Sequence, residues 1–125
     1  MDTAQVVHEF WDRMGARDWD GLRALLADDV VVDWPASGER FVGPDNVIGV
    51  NEAYPLGWSI TVLSVVADGG SVVSEVEVPH EDLGVFRVAS FWTVRDGRIV
   101  NGREYWTGLG TDPAPAWRAR FARRI

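Results

Sequence analysis

VFRVASFWTVRDGRIVNGREYW, residues Val85–Trp106, reads as two long strands joined by Asp96-Gly97. That dipeptide tolerates positive φ, as the tight turn matching strand twist requires. Strands this long expose apolar side chains that something must cover. The chain before the hairpin offers helices and further strands, and the chain after it one short basic amphipathic segment. The expectation is an α+β fold: a curved sheet with helices on its concave face, with any chemistry lining the cavity between them.

Upstream, Asp2 followed by Gln5 suggests a capping box, and Val6, Val7, Phe10, Trp11 and Met14 repeat at helical spacing. Asp18 caps a second helix carrying Leu22, Leu25 and Leu26. The β-branched run VVVDW, ended by Pro35 and a polar turn over 36–40, predicts a first strand. Gly43-Pro44 opens a third helix with Val47, Ile48, Val50, Asn51 and Tyr54, stopped by Pro55. Two further strands follow, over 58–67 and 72–78, turning at Asp68-Gly69-Gly70. A loop over 79–84 holds His80, read as solvent-exposed. The tail spaces Trp117, Phe121 and Ile125 four apart among arginines, which suits a lid or a dimer strap better than a membrane anchor.

The 125 residues, 46% hydrophobic and 25% charged, suit a single domain over 1–125 with one core. No apolar run reaches the length of a membrane span and no signal-peptide layout opens the chain, so the expected location is cytoplasmic. Cysteine is absent, which removes disulfides and thiolate chemistry. Lysine is absent too, all twelve basic residues being arginine, so no lysine Schiff base can form. A net charge of −7 disfavours nucleic acid. Two histidines without a ligand spacing argue against a metal, and no phosphate loop, serine elbow or dinucleotide fingerprint points to a cofactor.

LADDVVVDWP, FVGPDNVIG and SFWTVRDGRIVNGREYW, taken in this order, resemble the nuclear transport factor 2-like superfamily and most closely its small bacterial SnoaL-like members. That superfamily includes ketosteroid isomerase, scytalone dehydratase, limonene epoxide hydrolase and polyketide cyclases, so the resemblance implies an α+β, cone-shaped curved antiparallel sheet packed against three N-terminal helices, with a pocket but no particular reaction. Aligned without gaps on ADD and DGRI, ketosteroid isomerase would need its base at Trp34, its tyrosine at Phe10 and its oxyanion aspartate at Ala89. All three positions are chemically silent. Steroid isomerase activity is therefore not expected unless a bulge turns the neighbouring Asp33 inward.

The same alignment directs Val30, Val32 and Trp34, then Glu75 and Glu77, then Arg87, Ala89 and Phe91, and finally Val100, Gly102, Glu104 and Trp106 into the cavity. Desolvation would raise a carboxyl's pKa there and make it a general acid or base. Glu104 is the first choice, with Glu75 as partner and Arg87 as anion stabiliser. Trp34, Phe10, Tyr54, Glu77, Ala89, Phe91 and Trp106 are the expected substrate contacts. Plain alternation offers another outcome, in which Val72, Ser74, Val76 and Val78 face inward and both glutamates face water. Glu104 could likewise serve only as a cross-strand partner of Arg87.

Trp92, opposite in facing to Phe91, then marks an outer sheet surface that wants covering, commonly a homodimer interface in the resembling superfamily. The functional expectation is a cofactor-independent enzyme performing isomerisation, dehydration, cyclisation or hydrolysis on a small hydrophobic ligand. The alternatives are a non-catalytic binder using the same cone, or a dimeric interaction module whose cavity is plugged by Trp34 and Trp106.

Overall fold

A computed structural model covers Met1–Ile125. Its elements run α1 (Thr3–Gly15), α2 (Trp19–Arg23), β1 (Leu26–Trp34), β2 (Glu39–Val42), α3 (Pro44–Ala53), β3 (Thr61–Asp68), β4 (Ser71–His80), β5 (Gly84–Arg95), β6 (Arg98–Gly108) and a 3-10 segment, Ala116–Phe121. The six strands form one curved, unclosed sheet in the order β2-β1-β6-β5-β4-β3. Every neighbouring pair is antiparallel except β1 and β6, which run parallel.

Local chemistry accounts for the helices. Asp2 and Gln5 close the expected capping box on α1, whose buried stripe is Val6, Val7, Phe10, Trp11 and Met14. Asp18 caps α2 through the Gly21 N–H, and Pro44 opens α3 at a position that needs no backbone donor. The α2 helix ends earlier than its leucines suggest, because Leu26 already belongs to β1. An extra edge strand, β2, begins inside the 36–40 stretch read as turn and runs past it to Val42.

The three helices and the sheet enclose one core of 20 buried apolar residues. Trp92 sits in it, only 3% exposed, its ring against Phe10 at 4.9 Å and Trp11 at 6.1 Å. The outer-face position expected for Trp92 is thus corrected. The reason is a bulge in β6. From the turn, where Asp96 and Gly97 both have positive φ, Arg95 pairs with Arg98 and Val94 with Ile99. Val100 is then passed over and Thr93 pairs with Asn101, which places Trp92 opposite Gly102, Ser90 opposite Glu104 and Val88 opposite Trp106. An unbroken ladder would have set Ala89 opposite Glu104. One extra residue shifts the register and exchanges the faces of β5 relative to β6.

Alternation on β4 follows the other expected outcome: Val72, Ser74, Val76 and Val78 are buried, and the glutamates point away. His80 is not exposed. It is 7% accessible, its Nδ1 accepting the Asp82 and Leu83 N–H groups while Nε2 lies 3.1 Å from the Pro55 carbonyl. Two donors on Nδ1 require its lone pair, so the proton belongs on Nε2 and donates to Pro55. The imidazole thereby fastens the β4–β5 turn to the end of α3. Along the tail, Trp117, Phe121 and Ile125 are all exposed.

Candidate functional site

The candidate site begins with Glu104 on β6. It is 6% exposed and held at both oxygens: the Trp34 indole donates to Oε1 at 3.1 Å and the Ser90 hydroxyl to Oε2 at 2.8 Å. Trp34 closes β1 and Ser90 lies directly across the β5–β6 ladder, so both partners are set by strand register. No cation reaches the carboxyl. Burial pushes its pKa up, and the hydrogen bonds from Ser90 and Trp34 only partly oppose that. Trp34 can only donate, so Oε1 must remain an acceptor, and a proton on this group rides on Oε2.

Around Glu104 the space divides in two. An inner cavity of about 20 Å³, room for roughly one water, lies between α1, the end of α3 and the sheet, with Trp58, Tyr54, Asn51 and Trp106 in its wall. An open cleft of about 240 Å³ approaches the same carboxyl past Trp34, Phe86 and Glu39. Tyr54, Glu104 and Trp106 belong to both. Tyr54 and Trp106 stack with their rings 17° from parallel and 6.0 Å apart, forming the partition between the two spaces. Most of the cone is thus filled by aromatic side chains, and Glu104 lies where the cleft meets the filled interior.

The other expected site residues divide by face. Glu75 and Glu77 lie on the outer surface of the sheet, where Arg87 contacts them at 4.0 and 2.9 Å. None of the three enters the cavity, and the suggested Glu104–Arg87 pair does not form. Ala89 and Phe91 are also outside, Phe91 being 37% exposed with the Arg103 guanidinium over its ring. Phe10 is buried in the core behind the cavity, against Trp11 and Trp92. Trp34, Tyr54 and Trp106 do line the site. Asp33 stays out of it, paired with Arg40 through two bonds of 2.7 and 2.9 Å, and the Arg40 hydrogen bond lowers its pKa.

Three site residues escaped the sequence reading. Ser90 was hidden by the register shift, Asn51 read only as part of a helix, and Trp58 lies outside any regular strand, joined to His80 by an isolated bridge. Trp58 is held by Arg17, whose guanidinium stacks 3.6 Å from its ring centroid and donates to its carbonyl. No three side chains of metal-binding type converge, and no helix is long and apolar enough to cross a membrane.

A curved sheet and its helices closing on an aromatic pocket define a nuclear transport factor 2-like protein. The sequence matches the SnoaL-like domain family over residues 7–102, and the chain belongs to that family. Among solved structures it is similar to a candidate ketosteroid isomerase from Kribbella flavida DSM 17836, at 29% identity and a TM-score of 0.88, covering 98% of this chain and 89% of that one. It is similar in fold to an NTF-2 like protein of unknown function from Burkholderia xenovorans LB400, at 22% identity and a TM-score of 0.81, with 98% and 94% covered. An LEH-like epoxide hydrolase from M. tuberculosis has a TM-score of 0.72 at 24% identity, with 84% and 82% covered. No curated protein matches.

Proposed function

We propose that this chain is a small-molecule pocket protein in which Glu104 acts as a cofactor-independent general acid or base on a compact hydrophobic substrate. One observation carries the proposal: a buried carboxyl, held by two neutral donors and no cation, sits where an open aromatic cleft ends. With Oε1 anchored by Trp34, Oε2 takes the substrate proton while the Ser90 hydroxyl turns to accept from it, then returns the proton elsewhere on the substrate or to water. Such a carboxyl suits isomerisation, dehydration, cyclisation or hydrolysis. The Kribbella flavida candidate isomerase and the M. tuberculosis epoxide hydrolase are compatible with this range. Glu75 and Arg87, on the far side of the sheet, have no part in it.

The test is a metabolite screen with product analysis, followed by Glu104→Gln. Glutamine can still accept from Trp34 and donate to Ser90, so the fold should persist while turnover falls at least a hundredfold. Unchanged turnover would remove Glu104 from the chemistry. A second reading, a non-catalytic binder, draws on Glu104 being the one carboxyl in the wall of the inner cavity. It predicts binding without product.

We also infer a homodimer through the outer face of the sheet, its seam at Val73, Phe91 and Tyr105 instead of Trp92. These three are exposed at 43%, 37% and 40%, and Val73 and Phe91 are direct cross-strand neighbours.

A further inference from the structure

We propose that the ligand of the open cleft is an organic cation, a compact apolar body carrying one ammonium group, with the aromatic walls around it and its charge paired to Glu104. This rests on the pocket reading above and names the class of molecule the pocket takes.

The starting observation is an accounting of charge. Arg13, Arg23, Arg40 and Arg87 form the ion pairs of this protein, and neither Glu39 nor Glu104 joins one. Those two carboxyls are the charged groups that line the cleft, and no arginine or histidine lines it. Glu39 arrives there by register. It pairs with Trp34 at the end of the β1–β2 ladder, so the two share a face, while its neighbour Arg40 turns to the other face and bonds to Asp33. The cleft thus has one exposed carboxyl at its mouth and one buried carboxyl at its end. An ionised carboxylate taken out of water needs a counter-charge, and two neutral donors replace only part of what water gave it. Burial therefore favours the proton on Glu104. An ammonium group beside it supplies the missing charge, and the carboxyl proton then leaves to solvent.

The walls favour the same ligand. Trp34, Tyr54, Phe86 and Trp106 are each half-buried, so part of each ring stays open. Trp106 stands at 63° to Trp34 and 66° to Phe86, with centroids 5.9 and 6.3 Å apart, so these rings meet as adjoining walls and not as one flat surface. Ring faces carry partial negative charge and attract a cation set among them. The volume of about 240 Å³ limits the ligand to a compact one. An anion would find no positive partner and two carboxyls. The strongest rival is a neutral molecule of the same shape, which fills the cleft equally well but leaves Glu104 protonated.

Three probes of similar shape and different charge separate these cases by calorimetry on the unmodified protein: 2-aminoindane, 2-indanol and indane-2-carboxylate. At pH 8 the amine should bind about tenfold tighter than the alcohol, with the carboxylate weakest. Between pH 8 and pH 5 an alkyl ammonium keeps its charge, so the amine's affinity should fall as Glu104 takes up its proton while the alcohol's stays level. Glu39 from β2 and Tyr54 from α3 are the other titratable groups lining the space around Glu104; α1 and β4 present Trp11, Met14 and Val78, none of which titrates. Glu39→Gln should keep the pH profile, and Glu104→Gln should abolish it along with the preference for the amine. Equal binding of amine and alcohol at pH 8 overturns the cation and leaves the pocket reading standing, as does tightest binding by the carboxylate. A level amine profile, or an amine preference that survives Glu104→Gln, overturns the pairing with Glu104. Binding by none of the three overturns this proposal and the pocket reading together. The ranking of the probes does not depend on either variant folding.

Discussion

Glu104 makes pH a usable handle on a single residue. Burial holds its folded pKa above its unfolded value, so the protonated form is the one that folding favours. Its stabilising contribution is complete below the unfolded pKa of about 4.3 and is lost as pH rises through the raised folded value. Glu104→Gln removes that loss. In thermal melts the variant's Tm should gain on the parent's as pH rises above about 4.3, and the gain should level off once pH passes the raised folded value. A constant difference across that range would mean that Glu104 is not desolvated. Ser74 carries the opposite kind of prediction, because one hydroxyl accepts from two buried indoles. Ser74→Ala orphans both and should cost about 2–4 kcal/mol in urea unfolding, far more than a solvent-facing serine would. The alternation that points to Glu104 on β6 holds from Gly102 to Trp106, which is why its burial was legible in the sequence. Ser74 faced inward only in the alternative alternation of its strand, and its role depends on Trp11 and Trp92 arriving from elements distant in sequence.

Between elements, the β5–β6 hairpin shows where reading by pattern stops. Its turn was plain in Asp96-Gly97, whereas the bulge at Val100 leaves no mark, because a valine there fits a regular strand equally well. From that point outward every facing assigned to β5 was off by one, which put Arg87, Ala89 and Phe91 inside and Trp92 outside. Gly102 is the compensation the shift requires. A Cβ there would clash with Cε3 and Cζ3 of Trp92, and that indole is fixed in the core by its bond to Ser74. Gly102→Ala should therefore destabilise the protein by about 1–3 kcal/mol through overpacking. A melting temperature equal to the parent's would show that the ring can move aside. His80 followed similar logic: a histidine between proline and acidic residues reads as exposed loop until Pro55 and the two turn amides come together around it.

For the whole molecule, the outer face of the sheet is where the inferred dimer stands or falls. Val66, Val73, Phe91 and Arg103 stand in one row across four strands, with Tyr105 edge-on to Phe91 at 6.1 Å. The inferred dimer buries this row, so light scattering at micromolar concentration should give twice the chain mass. Phe91→Asp should return the monomer mass while leaving the far-UV circular dichroism unchanged, since Phe91 lies outside the core. A monomeric parent would end the dimer proposal. The helices and strands were legible from the order of periodic segments and the cone from the resemblance their motifs carry; how fully the aromatics fill the interior was not, because it depends on Tyr54 and Trp106 stacking across elements.

The single unpaired residue at Val100 also has a genetic meaning. Loss of that one codon would let the ladder run unbroken from the turn, bringing Arg87, Ala89 and Phe91 to the inner wall and sending Ser90 and Trp92 outward. A folded protein lacking Val100 that still shields the Trp92 indole proton from exchange would refute this. If it holds, relatives one residue apart in this hairpin can differ in cavity chemistry more than relatives separated by many point substitutions, and one deletion event would supply a guanidinium to a pocket that now has none.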